Sequence, residues 1–219
     1  YQIKRLLLNE PKPIIFDVGA HIGKMIKKYR NNFPNSEIIA FEPIPECFDQ
    51  IKAMSKKDKH LHVYPYAITD QAGEKNFNIN RNLSSSSLFS SSSYGGRIWI
   101  NKELETVSNI NVECQSLDNF CIENDIQKIH LLKLDIQGAE YEALKGARKL
   151  LSEKKISIIY TEISIYKSYN EQTELHKILS LLNKYHFELF NIYKTVRMNG
   201  QLIEIDVMFV HSNKLPDLL

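Results

Sequence analysis

LKLDIQGAEYEALKGA, residues 132–147, decides how this chain folds. The run starts as a buried strand, closes on Asp135, turns through Gln137 and Gly138, and resumes at Glu140 with the apolar spacing of a helix. A strand passing directly into a helix is half of a β-α-β unit, and the rest of the chain repeats that unit. The segment also delivers two carboxylates, five residues apart, to the carboxyl end of a strand, where packing needs neither.

Upstream, PIIFDVG (13–19) is an apolar run closed by glycine and followed by a helical segment to about Arg30. SEIIAFEP (36–43) leads into a helix beginning near Pro45. HLHVYPYAI (60–68), IHLLKLDI (129–136) after the helical SLDNFCIEND (116–125), and KISIIYTEIS (155–164) supply three more strands. TELHKILSLLNKY (173–185) is helical, and FELFNIY (187–193) and IEIDVMFVH (203–211) are late strands. Asn199 and Gly200 leave no room for a helix between those two, so they form an antiparallel pair. The pattern predicts an α/β fold: a mostly parallel sheet with right-handed crossovers and a reversed strand at its far edge.

The 219 residues suit one well-buried domain, with a helical lead-in over about 1–12 and one break in rhythm at 76–109. That break contains NINRNLSSSSLFSSSSYGGRIWI (78–100). Composition alone allows a flexible loop. Leu88, Phe89, Tyr94 and Trp99 would be costly to expose, so we expect a hydrophobic lid carrying serine hydroxyls. A net charge of +2 lacks the dense basic patch that phosphate binding requires, which argues against nucleic acid. The apolar runs are far shorter than the ~20 residues of a membrane span. Cys47, Cys114 and Cys121 include no CxxC pair and read as reduced thiols of a cytoplasmic protein. The chain begins at Tyr1 and not Met, as expected of a domain cut from a longer chain.

In open α/β sheets ligands sit outside the carboxyl ends of the strands. Those ends carry Asp17 and Gly19, Glu42, Tyr66 and Ala67, Asp135, and Glu162. Four of the first five strands therefore finish on or beside a carboxylate. FDVGAHIGK departs from the G-x-G-x-x-G dinucleotide fingerprint, with His21 and Lys24 at the later glycine positions, so a pyrophosphate is not expected. Gly19 permits a sharp turn, Gly23 permits close packing of the helix start, and the free N–H groups there favour a carboxylate. Glu42 is positioned to accept both hydroxyls of a ribose diol. A ligand with an adenosine ribose, an amino group and a carboxylate but no phosphate is S-adenosylmethionine.

IIFDVGAHIGK (14–24), IIAFEPIPECFDQIK (38–52), HLLKLDIQGAEYEALKGARKLL (130–151), IIYTEIS (158–164) and IDVMFV (205–210) together resemble the FkbM-type family of S-adenosylmethionine-dependent O-methyltransferases. The likeness covers about residues 13–211, and the 132–147 segment is its most specific part. It implies a Rossmann-like class I methyltransferase fold with a seven-stranded sheet, an antiparallel last strand and helices on both faces. It implies that Asp17, Gly19, Ala20, His21, Ile22 and Gly23 shape the methionine pocket, that Glu42 holds the ribose, and that Tyr66 and Ala67 border the adenine. It also implies that Asn82 and Ser86 fall in a polar loop near the cofactor.

Methyl transfer to a hydroxyl needs alignment and a proton acceptor or a metal. Asp135 is the first candidate, as base or ligand, and Glu140 is expected to orient the acceptor. Glu162 could share one Mg²⁺ with Asp135. His211, ending the last strand, is a weaker candidate base. The resemblance implies O-methylation of a sugar in a glycan or polysaccharide, with fusion to glycan-synthesis domains in a longer chain as one context. A macrolide-like secondary-metabolite hydroxyl and a non-catalytic domain of the same fold are the alternatives. DIQG stands where base-methylating enzymes carry an Asn- or Asp-Pro-Pro-aromatic turn, which argues against nucleobase chemistry.

Overall fold

A computed structural model describes residues 2–99 and 102–215. Tyr1 of the lead-in and residues 100 and 101 of the serine-rich insertion lie outside the described residues. After α1 (Gln2–Leu6) the chain alternates β1 (Ile14–Val18), α2 (Lys24–Asn32), β2 (Glu37–Phe41), α3 (Pro45–Ser55) and β3 (Leu61–Tyr64). It resumes the alternation later with α5 (Leu117–Glu123), β7 (Ile129–Leu134), α6 (Glu140–Lys145), α7 (Arg148–Ser152), β8 (Ile156–Ser164) and α8 (Leu175–Lys184). The pair β9 (Phe187–Met198) and β10 (Gln201–His211) follows.

These strands form one seven-stranded sheet in the order β3-β2-β1-β7-β8-β10-β9. β10 is antiparallel to both β8 and β9, so the reversed strand lies one place in from the edge and β9 takes the edge itself. Their turn uses positive φ at Asn199 and Gly200 (50° and 83°), the geometry of a tight two-residue hairpin.

Neighbouring strand residues point to opposite faces and fill two separate cores. Phe16, Ile39, Leu132 and Ile159 pack with α5 to α8; Ile15, Ile38, Leu131 and Ile158 pack with α1, α2 and α3. Burial on both faces is why the central strands read as continuous apolar runs. The order of strands reverses between β1 and β7, and at this switch point the loops after the two strands diverge and leave a crevice.

The strand expected over 60–68 is two. Proline at position 65 ends β3, and β4 (Ala67–Ile68) pairs instead with β6 (Thr106–Gln115), itself antiparallel to β5 (Gly73–Asn80) in a second, three-stranded sheet. Both margins of the serine-rich stretch are therefore β-structure. Between them lie a short 3₁₀ turn at Leu83–Ser85 and α4 (Gly95–Ile98). Among the described residues no helix is long and apolar enough to cross a membrane. The three cysteines are buried and unpaired.

Candidate active site

A cleft of about 460 Å³ opens at the carboxyl ends of β1, β2 and β7. Gly19, Ala20, His21, Glu42, Asp135 and Ser86 line it, as do Tyr66 and Ala67. The turn after β1 is stitched to the end of β2: Gly19 N and Ala20 N donate to Phe41 O (3.1 and 3.0 Å), and His21 N donates to Glu42 Oε2 (2.7 Å). These three N–H groups, which precede the start of α2 at Lys24, are spent on the chain itself. Positive charge at this end comes from Lys24 and Lys28, which line the cleft.

Glu42 is buried, and its other oxygen accepts from Ile44 N (2.9 Å). Burial, against those two backbone bonds, pushes its carboxyl up to about 7. Each oxygen keeps one further lone pair for a ligand hydroxyl. Gly19 has φ +78°, and a Cβ there would meet the carbonyl oxygen of Asp135 at 2.0 Å. Glycine is required because two turns touch. Gly23, at φ +77°, packs against Met54 and Ile51 of α3 and does not reach the cleft. Ile22 packs beside the small core of Ile44, Phe77 and Val112 and is also absent from the cleft lining.

Asp17 does not line the cleft either. It is fully buried, with Oδ1 3.1 Å from Lys133 Nζ. Neither Asp17 oxygen accepts a well-aligned hydrogen bond, so this ion pair carries the compensation of its charge. Lys133 Nζ also lies 3.3 Å from Asp135 Oδ2 and donates to Gly19 O (3.3 Å). Burial disfavours the ammonium, but Asp17 and then Asp135 outweigh it and hold the group above the usual lysine range. Lys133 thus locks the ends of β1 and β7 together and presents Asp135, whose side chain is 37% exposed, to the cleft.

The two other expected acids lie elsewhere. Glu140 is buried and turned back into its own loop, where Oε1 accepts from Ile136 N (3.0 Å) and Gly138 N (3.3 Å). Burial raises its carboxyl to about 7. It supports the turn that holds Asp135 and lines neither the cleft nor the second pocket. Glu162 lines a second, polar pocket of about 170 Å³ together with Asn82, Trp99, Tyr169, Lys194 and Glu204. Asn82 Oδ1 accepts from Ser84 N (3.1 Å) and caps the 3₁₀ turn.

Asp135 and Glu162 are bridged by Gln137, whose Nε2 donates to Asp135 Oδ1 (3.1 Å) and Glu162 Oε1 (2.8 Å). A donor stands where a shared Mg²⁺ would need acceptors, so the expected pair does not form a cation site. Among the described residues the acids that do converge are Glu162, Glu204 and Asp206, with ligand atoms within 4.8 Å of one another. Lys194 Nζ already serves two of them, 2.8 Å from Glu204 and 3.5 Å from Glu162. His211 lies at the opposite end of the sheet, because β10 runs in reverse and pairs this residue with Phe187 at the start of β9. It is too remote to act as a base for Asp135's cleft.

A methyltransferase FkbM domain model matches residues 17–189. The chain belongs to the FkbM methyltransferase family. It is accordingly an S-adenosylmethionine-dependent methyltransferase domain. It is similar to the 2-O-methyltransferase NoeI of Sinorhizobium fredii, at 28% identity over 80% of this chain and 73% of NoeI. It is 25% identical to the hexuronic acid methyltransferase AglP of Haloferax volcanii, over 71% of this chain and 59% of AglP. The crystal structure of an FkbM methyltransferase from Methylobacillus flagellatus shares the fold, with a TM-score of 0.55 and 15% identity over 91% of this chain. The chain spans only 44% of that structure.

The cleft of this FkbM domain suits the family's cofactor in size and character. Its volume falls within the ~300–1,000 Å³ of small-molecule sites. Ile44, Tyr66, Ile68, Phe77 and Leu88 make one part apolar, as a purine base requires, and Glu42 and the two lysines make the remainder polar. Sequence reasoning missed Lys133, Gln137 as a bridge, Tyr169, Lys194 and Glu204. A lysine between Leu132 and Leu134 was the available signal, since a cation on a strand buried throughout needs a partner.

The serine-rich loop of the FkbM domain is pinned to this machinery. Ser87 Oγ donates to Gln137 O (2.7 Å), and Tyr169 O–H donates to Ser85 O (2.8 Å) and contacts Gln137 Oε1 (3.0 Å). Ser92 N donates to Ser168 O (2.9 Å), and Ser92 Oγ donates to Lys167 O.

Proposed function

We propose that the protein transfers the methyl group of S-adenosylmethionine to a hydroxyl of a sugar, with Asp135 as the proton acceptor. The observation that carries this reading is the presentation of Asp135 at the switch point, held by Lys133 on one side and Gln137 on the other. A carboxylate so restrained keeps its orientation while a hydroxyl is brought against it. The similarity to NoeI, a 2-O-methyltransferase, and to AglP, a hexuronic acid methyltransferase, supports a sugar as the acceptor class.

In this reading Glu42 holds the ribose diol through its remaining lone pairs, and Tyr66 and Ala67 border the base with Ile68 and Phe77. Lys24 and Lys28 face the cofactor carboxylate. When bound, S-adenosylmethionine supplies a sulfonium-activated methyl, whose S–C bond breaks as the new O–C bond forms. Asp135 receives the hydroxyl proton, and Lys133 stabilises the carboxylate before that transfer. Gln137 keeps Asp135 turned toward the acceptor. The serine-rich stretch acts as a lid fastened at Gln137 and Tyr169. No step in this scheme is assigned to Mg²⁺.

Calorimetric titration with S-adenosylmethionine tests the cofactor half of the reading, and a non-catalytic domain would show no binding at millimolar ligand. Labelled-methyl transfer to a panel of glycans, with and without chelator, tests the other half. Asp135→Ala is expected to abolish transfer while cofactor affinity stays within tenfold, or ~1.4 kcal/mol. Loss of cofactor binding in that variant would move Asp135 to the cofactor side, and loss of transfer on chelation would restore a metal to the scheme.

A further inference from the structure

We infer that the 170 Å³ pocket between β8, β9, β10 and the serine-rich loop is the acceptor subsite, and that it selects a neutral sugar ring over a uronic acid. The inference rests on the sugar-methylation reading and specifies which sugars that reading covers.

The pocket and the larger cleft share three lining residues, Ser84, Gln137 and Lys194. Gln137 connects them chemically as well, since one amide nitrogen touches Asp135 on the cleft side and Glu162 on the pocket side. A group seated in the pocket therefore lies beside the proposed base. The pocket holds about 170 Å³, beside the 460 Å³ of the cleft it adjoins. Its volume is below the ~300 Å³ at which sites for larger ligands begin, which disfavours a macrolide.

The lining has the mixed character a sugar ring needs. Ser84, Ser85, Ser164 and Ser168 bring hydroxyls, and Trp99, fixed by its indole N–H on Ser168 Oγ (3.1 Å), brings an aromatic surface. The charges decide which ring. Glu103 and Glu204 line the pocket against one cation among its described lining residues, Lys194, while burial, Asp135 and Glu204 push the Glu162 carboxyl up to about 10, so that it stays protonated near neutral pH. That cation is already engaged by Glu204 at 2.8 Å and Glu162 at 3.5 Å. Sugar hydroxyls can donate to these carboxylates, whereas an incoming carboxylate meets like charge and finds no uncommitted ammonium on the lining. Selection against the acidic ring comes from repulsion, and selection for the neutral ring comes from accepting lone pairs. In this respect the chain departs from AglP, whose name specifies a hexuronic acid.

The test uses matched oligosaccharide pairs that differ only in a terminal hexose or the corresponding hexuronic acid. Binding is measured by titration with S-adenosylhomocysteine present, and transfer is measured with labelled S-adenosylmethionine. We expect the neutral member to bind at least tenfold tighter and to show at least tenfold higher kcat/KM. Glu204→Gln, and separately Glu103→Gln, should narrow the gap while cofactor affinity stays at the wild-type value. An equal or better uronate overturns the inference and leaves sugar methylation standing. A protein that binds the cofactor but neither binds nor methylates any sugar of the panel overturns both. The wild-type comparison decides the matter even where a variant fails to fold.

Discussion

Lys133 and Lys194 each serve two carboxylates at the carboxyl end of the same sheet, in opposite surroundings. Lys133 is 5% exposed on β7, with strands on both sides, and its partners Asp17 and Asp135 hang from adjacent strand ends. The Lys194 side chain is 51% exposed on the edge strand β9, reaching over β10 to Glu204 and Glu162. At the centre the ion pair is enclosed, so its geometry is fixed before any ligand arrives. At the edge the ion pair borders two cavities, so a ligand can exchange contacts with it. One cluster sets the shape of the site and the other adapts to what enters.

The sharpest way to break this contrast is Lys133→Met. Removing one member of a buried pair leaves the other charge uncompensated, which costs ~3–5 kcal/mol. Asp17 has no other good donor to fall back on. Urea denaturation should show this loss, and Asp17→Asn in the same chain should recover part of it, because the stranded charge is then gone. A loss below ~1 kcal/mol would mean that the central cluster is no more constrained than the edge.

Glu140 sharpens the central half through its pH dependence. Burial raises its carboxyl from 4.5 to about 7. A raised acid contributes stability that is fully present below its unfolded pKa and is lost as pH rises through the folded value. Ionisation of Glu140 therefore works against the fold between about pH 4.5 and 7, by on the order of 3 kcal/mol at 1.36 kcal/mol per unit. Glu140→Gln keeps an acceptor for Ile136 N and Gly138 N but cannot ionise. The fall in stability from pH 5 to pH 8 should shrink by that order, read from unfolding curves at both pH values. An unchanged slope would show that the turn around Glu140 is open to water.

Gln137 joins the two clusters, so shortening it tests whether they work together. Its backbone has φ +57°, a conformation that asparagine adopts readily, so Gln137→Asn shortens the reach without disturbing the turn. The amide then cannot hold Asp135 and Glu162 at once. We expect kcat to fall about tenfold with cofactor affinity unchanged, since a misaligned base loses the benefit of orientation. A change in cofactor affinity alone would place Gln137 on the cleft side only.

The central cluster was the more legible from the residues. Apolar runs closing on Asp17, Glu42 and Asp135 mark the sheet, its direction and its ligand-facing end. Lys133 was visible as an anomaly, but its partner on β1 is 116 positions away, and only strand order makes them neighbours. Glu140 misled because an acid in the first turn of a helix is usually solvated, and here the loop folds over it. The edge cluster was almost silent. Glu204 and Asp206 alternate within an apolar strand, which puts them on one face, but that strand's reversal and its place beside β8 decide that they meet Glu162. The same reversal removed His211 from consideration. Two-residue periodicity announces a face, and tertiary pairing decides what the face meets.

The smallest effect is expected at Lys194, and it completes the contrast. Burial works against its charge, and the bond it donates to Glu204, together with Glu162 and Asp206, holds it above the usual lysine range. With the side chain half in water, however, screening and side-chain entropy reduce the net worth of such a pair to ~1 kcal/mol or less. Lys194→Met should thus lower stability by no more than that in urea, severalfold less than Lys133→Met under the same conditions. The two lysines have similar numbers of carboxylate partners, so a difference of this size isolates enclosure as its cause. Equal losses would mean that Glu162 and Glu204 depend on Lys194 as strictly as Asp17 depends on Lys133, and the edge would then be a second rigid centre with no freedom to yield to an acceptor.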